Sequence, residues 1–179
     1  MVVIRAARAD EFARLTEIEL DAFVVWAKAC GVTFRPYASP ESVLRQALSQ
    51  GLLLVAETDG IVSGFVAGHA VGRYLHIIEI DVERSAQGKG IGRALMLAIL
   101  AQGRAAGHTY AVLTTDRFAP FNAPFYIKLG FRILETWETP PFLQARLDQQ
   151  VRHGLDPVRR VAMHLDLSSM AARLLNSTD

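Results

Sequence analysis

Ile77-Ile78-Glu79-Ile80-Asp81-Val82 is an apolar run broken by two carboxylates, and shortly after it comes Gln87-Gly88-Lys89-Gly90-Ile91-Gly92. The first stretch reads as a strand. The second is a glycine-rich loop that opens straight onto a helix expected from Ile91 to about Arg104. Glycine tolerates positive φ and places no Cβ in the way, so several backbone N–H groups can turn toward one point. The helix start adds unpaired N–H groups and the positive end of its dipole. Together they make a seat for an anion, phosphate above all. Taken alone, the same glycines also suit a plain strand-to-helix turn. Two phosphate motifs are excluded. The dinucleotide fingerprint needs Gly-x-Gly-x-x-Gly, whereas the spacing here is Gly88-x-Gly90-x-Gly92; the Walker loop needs Lys followed by Ser or Thr, whereas Gly90 follows Lys89.

What remains is Gln/Arg-x-x-Gly-x-Gly/Ala after a strand ending in Val. It resembles motif A of the GNAT superfamily of acyl-CoA-dependent N-acetyltransferases, whose loop holds the pyrophosphate of acetyl-CoA. Gln87 stands where Arg is commoner, so the resemblance implies a grip resting on the amides of Gly88, Gly90, Ile91 and Gly92 and on Lys89. A second stretch, Asn122-Ala123-Pro124-Phe125-Tyr126-Ile127-Lys128-Leu129-Gly130-Phe131, resembles motif B of the same family. There the resemblance gives Asn122 and Phe125 to the cofactor and makes Tyr126 the proton donor to the departing thiolate. It also implies a bulge in the strand carrying Ile80 and Val82, whose main-chain groups would pair with the pantetheine arm. The two signatures cover about residues 76 to 131.

Acetyl transfer needs an amine that has lost its proton, and alkylamines hold theirs up to a pKa near ~10.4. Glu79 is the first candidate to draw that proton off, because a carboxylate in an apolar strand is costly without a compensating partner. Asp81 is a weaker version of the same case. Unbroken alternation puts Glu79 and Asp81 on one face of the strand and His76, Ile78 and Ile80 on the other. His76, with an ordinary pKa near ~6.5, is the rival base. The family often lacks a fixed base, so the choice stays open.

Working outward, Val2 to Ala6 reads as a first strand. Asp10 is placed to cap a helix whose stripe is Phe12, Leu15, Ile18, Ala22 and Val25, ending at Gly31. Phe23, Trp26, Phe34 and Tyr37 crowd the next connection, either as core or as an apolar wall for an acceptor. Ser39-Pro40-Glu41 reads as a capped helix start. Leu52 to Glu57, the Asp59-Gly60 turn, Ile61 to Ala70 and Tyr74 to Val82 form an antiparallel meander, with Gly64 and Gly68 marking bulges or close approaches. Tyr110 to Leu113 follows the long helix and so lies parallel to the strand before it. Thr114, at its end, is a candidate acceptor contact. A short helix from Asn122, a strand from Phe131, a polar helix after Pro140-Pro141 and a strand from Val161 to Leu167 complete the chain, with a tail over 168–179. The expected fold is α/β (α+β) and GNAT-like: a mixed, mostly antiparallel sheet of about seven strands, split between the fourth and fifth and flanked by helices.

The length of 179 residues suits one domain over 1–179, and 51 % hydrophobic residues are enough to fill its core. A net charge of +1 gives no reason to expect nucleic acid. No run is long and apolar enough for a membrane, and no signal peptide opens the chain, so a cytoplasmic location is expected. Cys30 is the one cysteine, which excludes an internal disulfide, and the histidines lack metal-site spacing, so no metal is expected. The reading is a transfer of acetyl from acetyl-CoA to a primary amine of a small molecule, the acceptor walled by Phe23, Trp26 and Phe34. A protein or peptide N-acetyltransferase and a non-catalytic acyl-CoA sensor are the alternatives. The identity of the amine and the oligomeric state, a homodimer included, stay open.

Overall fold

The structure is a computed structural model that describes residues 1–168; the tail expected beyond Ser168 lies outside the described residues. The chain runs β1 (Val2–Ala6), α1 (Phe12–Cys30), α2 (Glu41–Ser49), β2 (Leu53–Thr58), β3 (Ile61–Val71), β4 (Tyr74–Val82), α3 (Ile91–Ala105), β5 (Tyr110–Asp116), α4 (Ala123–Lys128), β6 (Arg132–Ile133), α5 (Pro141–Arg152) and β7 (Arg160–Asp166). The strands form one 7-stranded sheet in the order β1-β2-β3-β4-β5-β7-β6. Neighbours are antiparallel except β4 and β5, which are parallel because α3 crosses over between them.

Short-range chemistry explains most boundaries. Asp59 and Gly60 both take positive φ, 51° and 79°, as the tight hairpin between β2 and β3 requires. Gly31 closes α1 in the left-handed conformation, and its N–H donates to the Ala27 carbonyl. Both expected side-chain caps are absent. Asp10 lies in a short 3-10 turn and pairs with Arg8, while Glu11 accepts the Arg8 backbone N–H at 2.8 Å. Ser39 does not cap α2; its N–H and hydroxyl both donate to Glu19 Oε1 of α1, at 2.8 and 2.9 Å. At Ser39 the carboxylate of Glu19 is a stronger, charged acceptor than any neutral partner, so the long-range contact wins.

Two faces of the sheet are covered. On one, Leu95, Met96, Ile99 and Leu100 of α3, with Tyr126 of α4, pack on Leu54, Val66, Leu75, Ile77, Leu113 and Met163. On the other, Phe12, Leu15 and Ile18 of α1 and Leu44 of α2 pack on Leu53, Val55, Phe65 and Ala67, while Leu143 of α5 meets Val112 and Ala162. The helices on this second face leave the middle of the sheet, where β4 and β5 part, between α1 and α5. Among the described residues no helix is long and apolar enough to cross a membrane.

Candidate active site

β4 and β5 are paired only from Tyr74↔Tyr110 to His76↔Val112. Beyond that point β3 still holds β4 as far as Val82, and β7 still holds β5 as far as Asp116. Each strand is therefore tied on its outer edge and free on its inner one. The wedge between them opens into a cavity of about 620 Å³ lined by Ile77 to Val82 on one side and Leu113 to Thr115 on the other.

The parting has a local cause. Ala67 pairs with Glu79 but Gly68 pairs with Ile77, leaving Ile78 as an extra residue in β4. A bulge of this kind sharpens the twist and bends its strand. Gly68 permits it: a Cβ there would come within 3.1 Å of Leu75 Cδ1 and 3.2 Å of Ile99 Cδ1. The bulge also corrects the facing expected from unbroken alternation. Leu75 and Ile77 face α3, and after the extra residue so do Ile80 and Val82. Glu79 and Asp81 consequently share the opposite face with His76, whose ring meets Phe142 of α5 edge-on at 5.6 Å.

The glycine loop borders the same cavity. Gly88 and Gly90 have φ of 75° and 82°, and a Cβ on either would meet nothing within 4 Å. The first hydrogen bond of α3 runs from the Ala94 N–H to the Gly90 carbonyl at 3.0 Å. Ahead of it, the amides of residues 88 to 93 find no acceptor among the described residues. Orphaned donors at a helix start, with open space before them, fit an anion such as a diphosphate. Gln87 and Lys89 instead brace the loop, donating to the carbonyls of Val82 and Ser85, each at 2.9 Å. Gln87, Gly88, Gly90, Ile91 and Gly92 line the cavity, as does Arg93; Lys89 does not.

Past the wedge, α4 brings in Asn122, Phe125 and Tyr126, all on the cavity wall. Asn122 donates from Nδ2 to Thr115 Oγ1 at 2.8 Å, and its buried Oδ1 has no partner. Phe125 and Phe131 hold the Tyr126 ring edge-on, at 5.2 and 5.8 Å, and no described residue bonds its hydroxyl. Burial, then the charges of Glu79 and Asp81, push the phenol above its ordinary pKa. It therefore holds its proton at neutral pH, the state an acid needs.

Glu79 and Asp81 lie close together in the cavity, and their carboxyls interact. Burial and the neighbouring Glu19 push Glu79 up to about 8. Burial and the Glu79 charge raise Asp81 well above the carboxylate range. Carboxylate oxygens of Glu19, Glu79 and Asp81 lie within 4.8 Å of one another, and Glu19 Oε2 and Asp81 Oδ2 have no hydrogen-bond partner. His76 is driven the other way, to about 4, by burial and then by the charge of Arg146, and it does not line the cavity.

Of the acceptor candidates, Phe23, Trp26 and Thr114 line the cavity, while Phe34 stacks behind Phe23 at 6.0 Å and borders a separate hollow of about 110 Å³. Tyr37 completes that aromatic cluster and reaches the main cavity. Thr114 accepts from Gln150 Nε2 of α5 at 3.1 Å. Sequence reasoning missed Glu19, Gln150, Arg146 and Arg160, which also line the cavity. A signal existed for Glu19 alone: it follows Leu15 by one helical turn and so falls on the buried stripe of α1.

Residues 12–131 match the family described as "Acetyltransferase (GNAT) family". Among solved structures, the chain is similar to an acetyltransferase of GNAT family from Staphylococcus aureus Mu50, with a TM-score of 0.70 and 13 % identity over 93 % of this chain and 99 % of that one. It is similar to the PaiA N-acetyltransferase from Thermoplasma acidophilum in complex with coenzyme A, with a TM-score of 0.68 and 15 % identity over 93 % and 99 %. It is also similar to Arabidopsis thaliana Naa50 in complex with the bisubstrate analogue CoA-Ac-MVNAL, with a TM-score of 0.66 and 16 % identity over 92 % and 98 %.

Proposed function

The chain belongs to the GNAT family of acetyltransferases, and on that premise we propose that it moves an acetyl group from acetyl-CoA to a primary amine of a small molecule by direct attack. One observation carries the reading: orphaned amides at residues 88 to 93 border the same wedge-shaped cavity that Tyr126 and the Glu79–Asp81 pair line. The coenzyme A and bisubstrate-analogue complexes of the two similar proteins support the same cofactor.

Acetyl-CoA supplies the acyl group as a thioester: the amine nitrogen bonds to its carbonyl carbon, the C–S bond breaks, and coenzyme A leaves as the thiol. The amides of Gly88, Gly90, Ile91 and Gly92 hold the diphosphate, and the free inner edge of β4 at Ile80 and Val82 takes the arm as an added strand would. Asn122 and Phe125 line the same cavity, Phe125 beside Gly92. Glu79, sharing a proton with Asp81, accepts the proton that the amine gives up. Tyr126 gives one proton to the departing sulfur. Neither step needs a covalent enzyme intermediate: an ammonium acceptor gives one proton to Glu79 as it becomes the attacking amine, and the proton its nitrogen sheds after attack makes good the one Tyr126 gives to sulfur.

Side chains on both flanks of the cavity, Phe23, Trp26 and Tyr37 on one and Arg146 and Gln150 on the other, narrow it toward a small acceptor. The test is a panel of small amines and peptides with acetyl-CoA, scored by free thiol. Turnover of small amines supports the reading. Turnover of peptides alone replaces it with the peptide enzyme, and coenzyme A binding with no acceptor at all replaces it with a sensor.

A further inference from the structure

The cavity holds acidic and basic side chains on opposite sides that do not pair with each other. On the β4 and α1 side stand Glu19, Glu79 and Asp81; on the α5 and β7 side stand Arg146 and Arg160. These groups feel one another's charges, yet among the described residues no ion pair joins the two sets. Each set is left with open valences. Arg160 donates only from Nε, to Gln150 Oε1 at 3.1 Å, and its terminal nitrogens have no acceptor. The same Gln150 donates to Thr114, so the guanidinium is held in place by a side-chain relay from β5. Arg146 donates only to Gln149 Oε1, at 3.1 Å. Opposite them, Glu19 is 6 % exposed, its Oε1 is taken by Ser39, and its Oε2 is an acceptor without a donor, as is Asp81 Oδ2.

A buried guanidinium without a carboxylate is costly, and so is a buried carboxylate oxygen without a donor. Burial lowers Arg160 to about 10, which still leaves it charged at neutral pH. If the two sets were meant only for structure, closing the gap with one ion pair would relieve both. A gap held open between them calls for a ligand with a positive and a negative end.

We propose that the acceptor is a small zwitterion, an amino-acid-like molecule whose carboxylate is taken by Arg160 and Arg146 and whose amine is presented to Glu19, Asp81 and Glu79. This names the substrate class of the acetyl-transfer reading and rests on it. The guanidinium fork grips a carboxylate through paired N–H donors, and an ammonium group brings three donors to the orphaned oxygens before its proton passes to Glu79. A simple diamine leaves the arginines unpaired, and a long peptide holds its carboxylate far from its amine.

The experiment compares free amino acids with their C-terminal amides and their decarboxylated amines, by turnover with acetyl-CoA and, separately, by calorimetric binding in the presence of coenzyme A. The free acids are expected to win in kcat/KM by about tenfold to a hundredfold, the range of a charge-assisted pair. Arg160→Gln and Arg146→Gln should raise KM for the acids far more than for the amides, erasing the preference, while Arg160→Lys keeps part of it. Equal or better turnover of amides or decarboxylated amines overturns the proposal and leaves acetyl transfer standing. If no amine releases thiol, acetyl transfer falls, and the calorimetry decides the rest: carboxylate-dependent binding sustains a zwitterion site, and its absence overturns it. Arg146 lies on the partly exposed flank of α5, so its variant tests the idea even if Arg160→Gln fails to fold.

Discussion

Replacing Glu79 by glutamine should make the free protein more stable at alkaline pH while it loses activity. Glu79 is held at about 8 in the folded chain, against an ordinary value of 4.5, by burial first and then by Glu19, with Arg146 opposing. The folded state thus binds an extra proton between those two values. Stability is full below the unfolded value and is lost as pH rises through about 8. A gap of roughly 3.5 pKa units corresponds to about 5 kcal/mol at most. Glu79 faces a cavity that water can enter and shares its proton with Asp81, so on the order of 2 kcal/mol should survive screening. For a chain of this size that is a rise in Tm of about 4 to 8 °C for Glu79→Gln relative to the parent at about pH 9, vanishing near pH 5. Thermal unfolding across pH reads it directly. In parallel, kcat/KM of the parent should climb through about pH 8 as Glu79 opens for the amine's proton, and the variant should lose on the order of 10²-fold or more. A variant no more stable than the parent at alkaline pH would refute the burial argument. A variant with the parent's rate and pH profile would remove Glu79 from the reaction.

Tyr126→Phe keeps the ring packing on Phe125 and Phe131 and should lower kcat by about 10² to 10⁴ with coenzyme A affinity unchanged in calorimetry; unchanged kcat would take the proton donor elsewhere. Gly90→Ala strains a residue at φ 82° and should cost about 1 kcal/mol of stability while weakening coenzyme A, read by unfolding with and without the ligand. Gly103→Ala would bring a Cβ to 2.5 Å from Leu75 Cδ2, in the packed seam of α3 on β4, and should lower stability by about 1 to 3 kcal/mol in denaturant titration.

The legible part of the site was the part written contiguously. The loop from Gln87 to Gly92 and the short helix around Tyr126 each carry their own backbone chemistry, so their residues could be read in place and both reach the cavity. Gly68 was legible as a mark of bulge or close approach, and it is both. What the bulge does to β4 was not legible, because a bulge is a relation between two strands and leaves no trace in the period of either. For that reason His76 was set on the wrong face from Glu79. The expected cap at Ser39 failed for a similar reason: Glu19, on another helix, takes its N–H and hydroxyl.

By itself the sequence determined the order of the elements, the parallel crossover through α3 and the glycine loop that opens onto it, since each follows from patterns within a few turns of chain. Only the tertiary structure decided where β4 and β5 part and which charges face across the gap. Glu19, Arg146 and Arg160 come from α1, α5 and β7, far apart in the chain. Their meeting is a product of packing on opposite flanks of one wedge, and no local propensity encodes it.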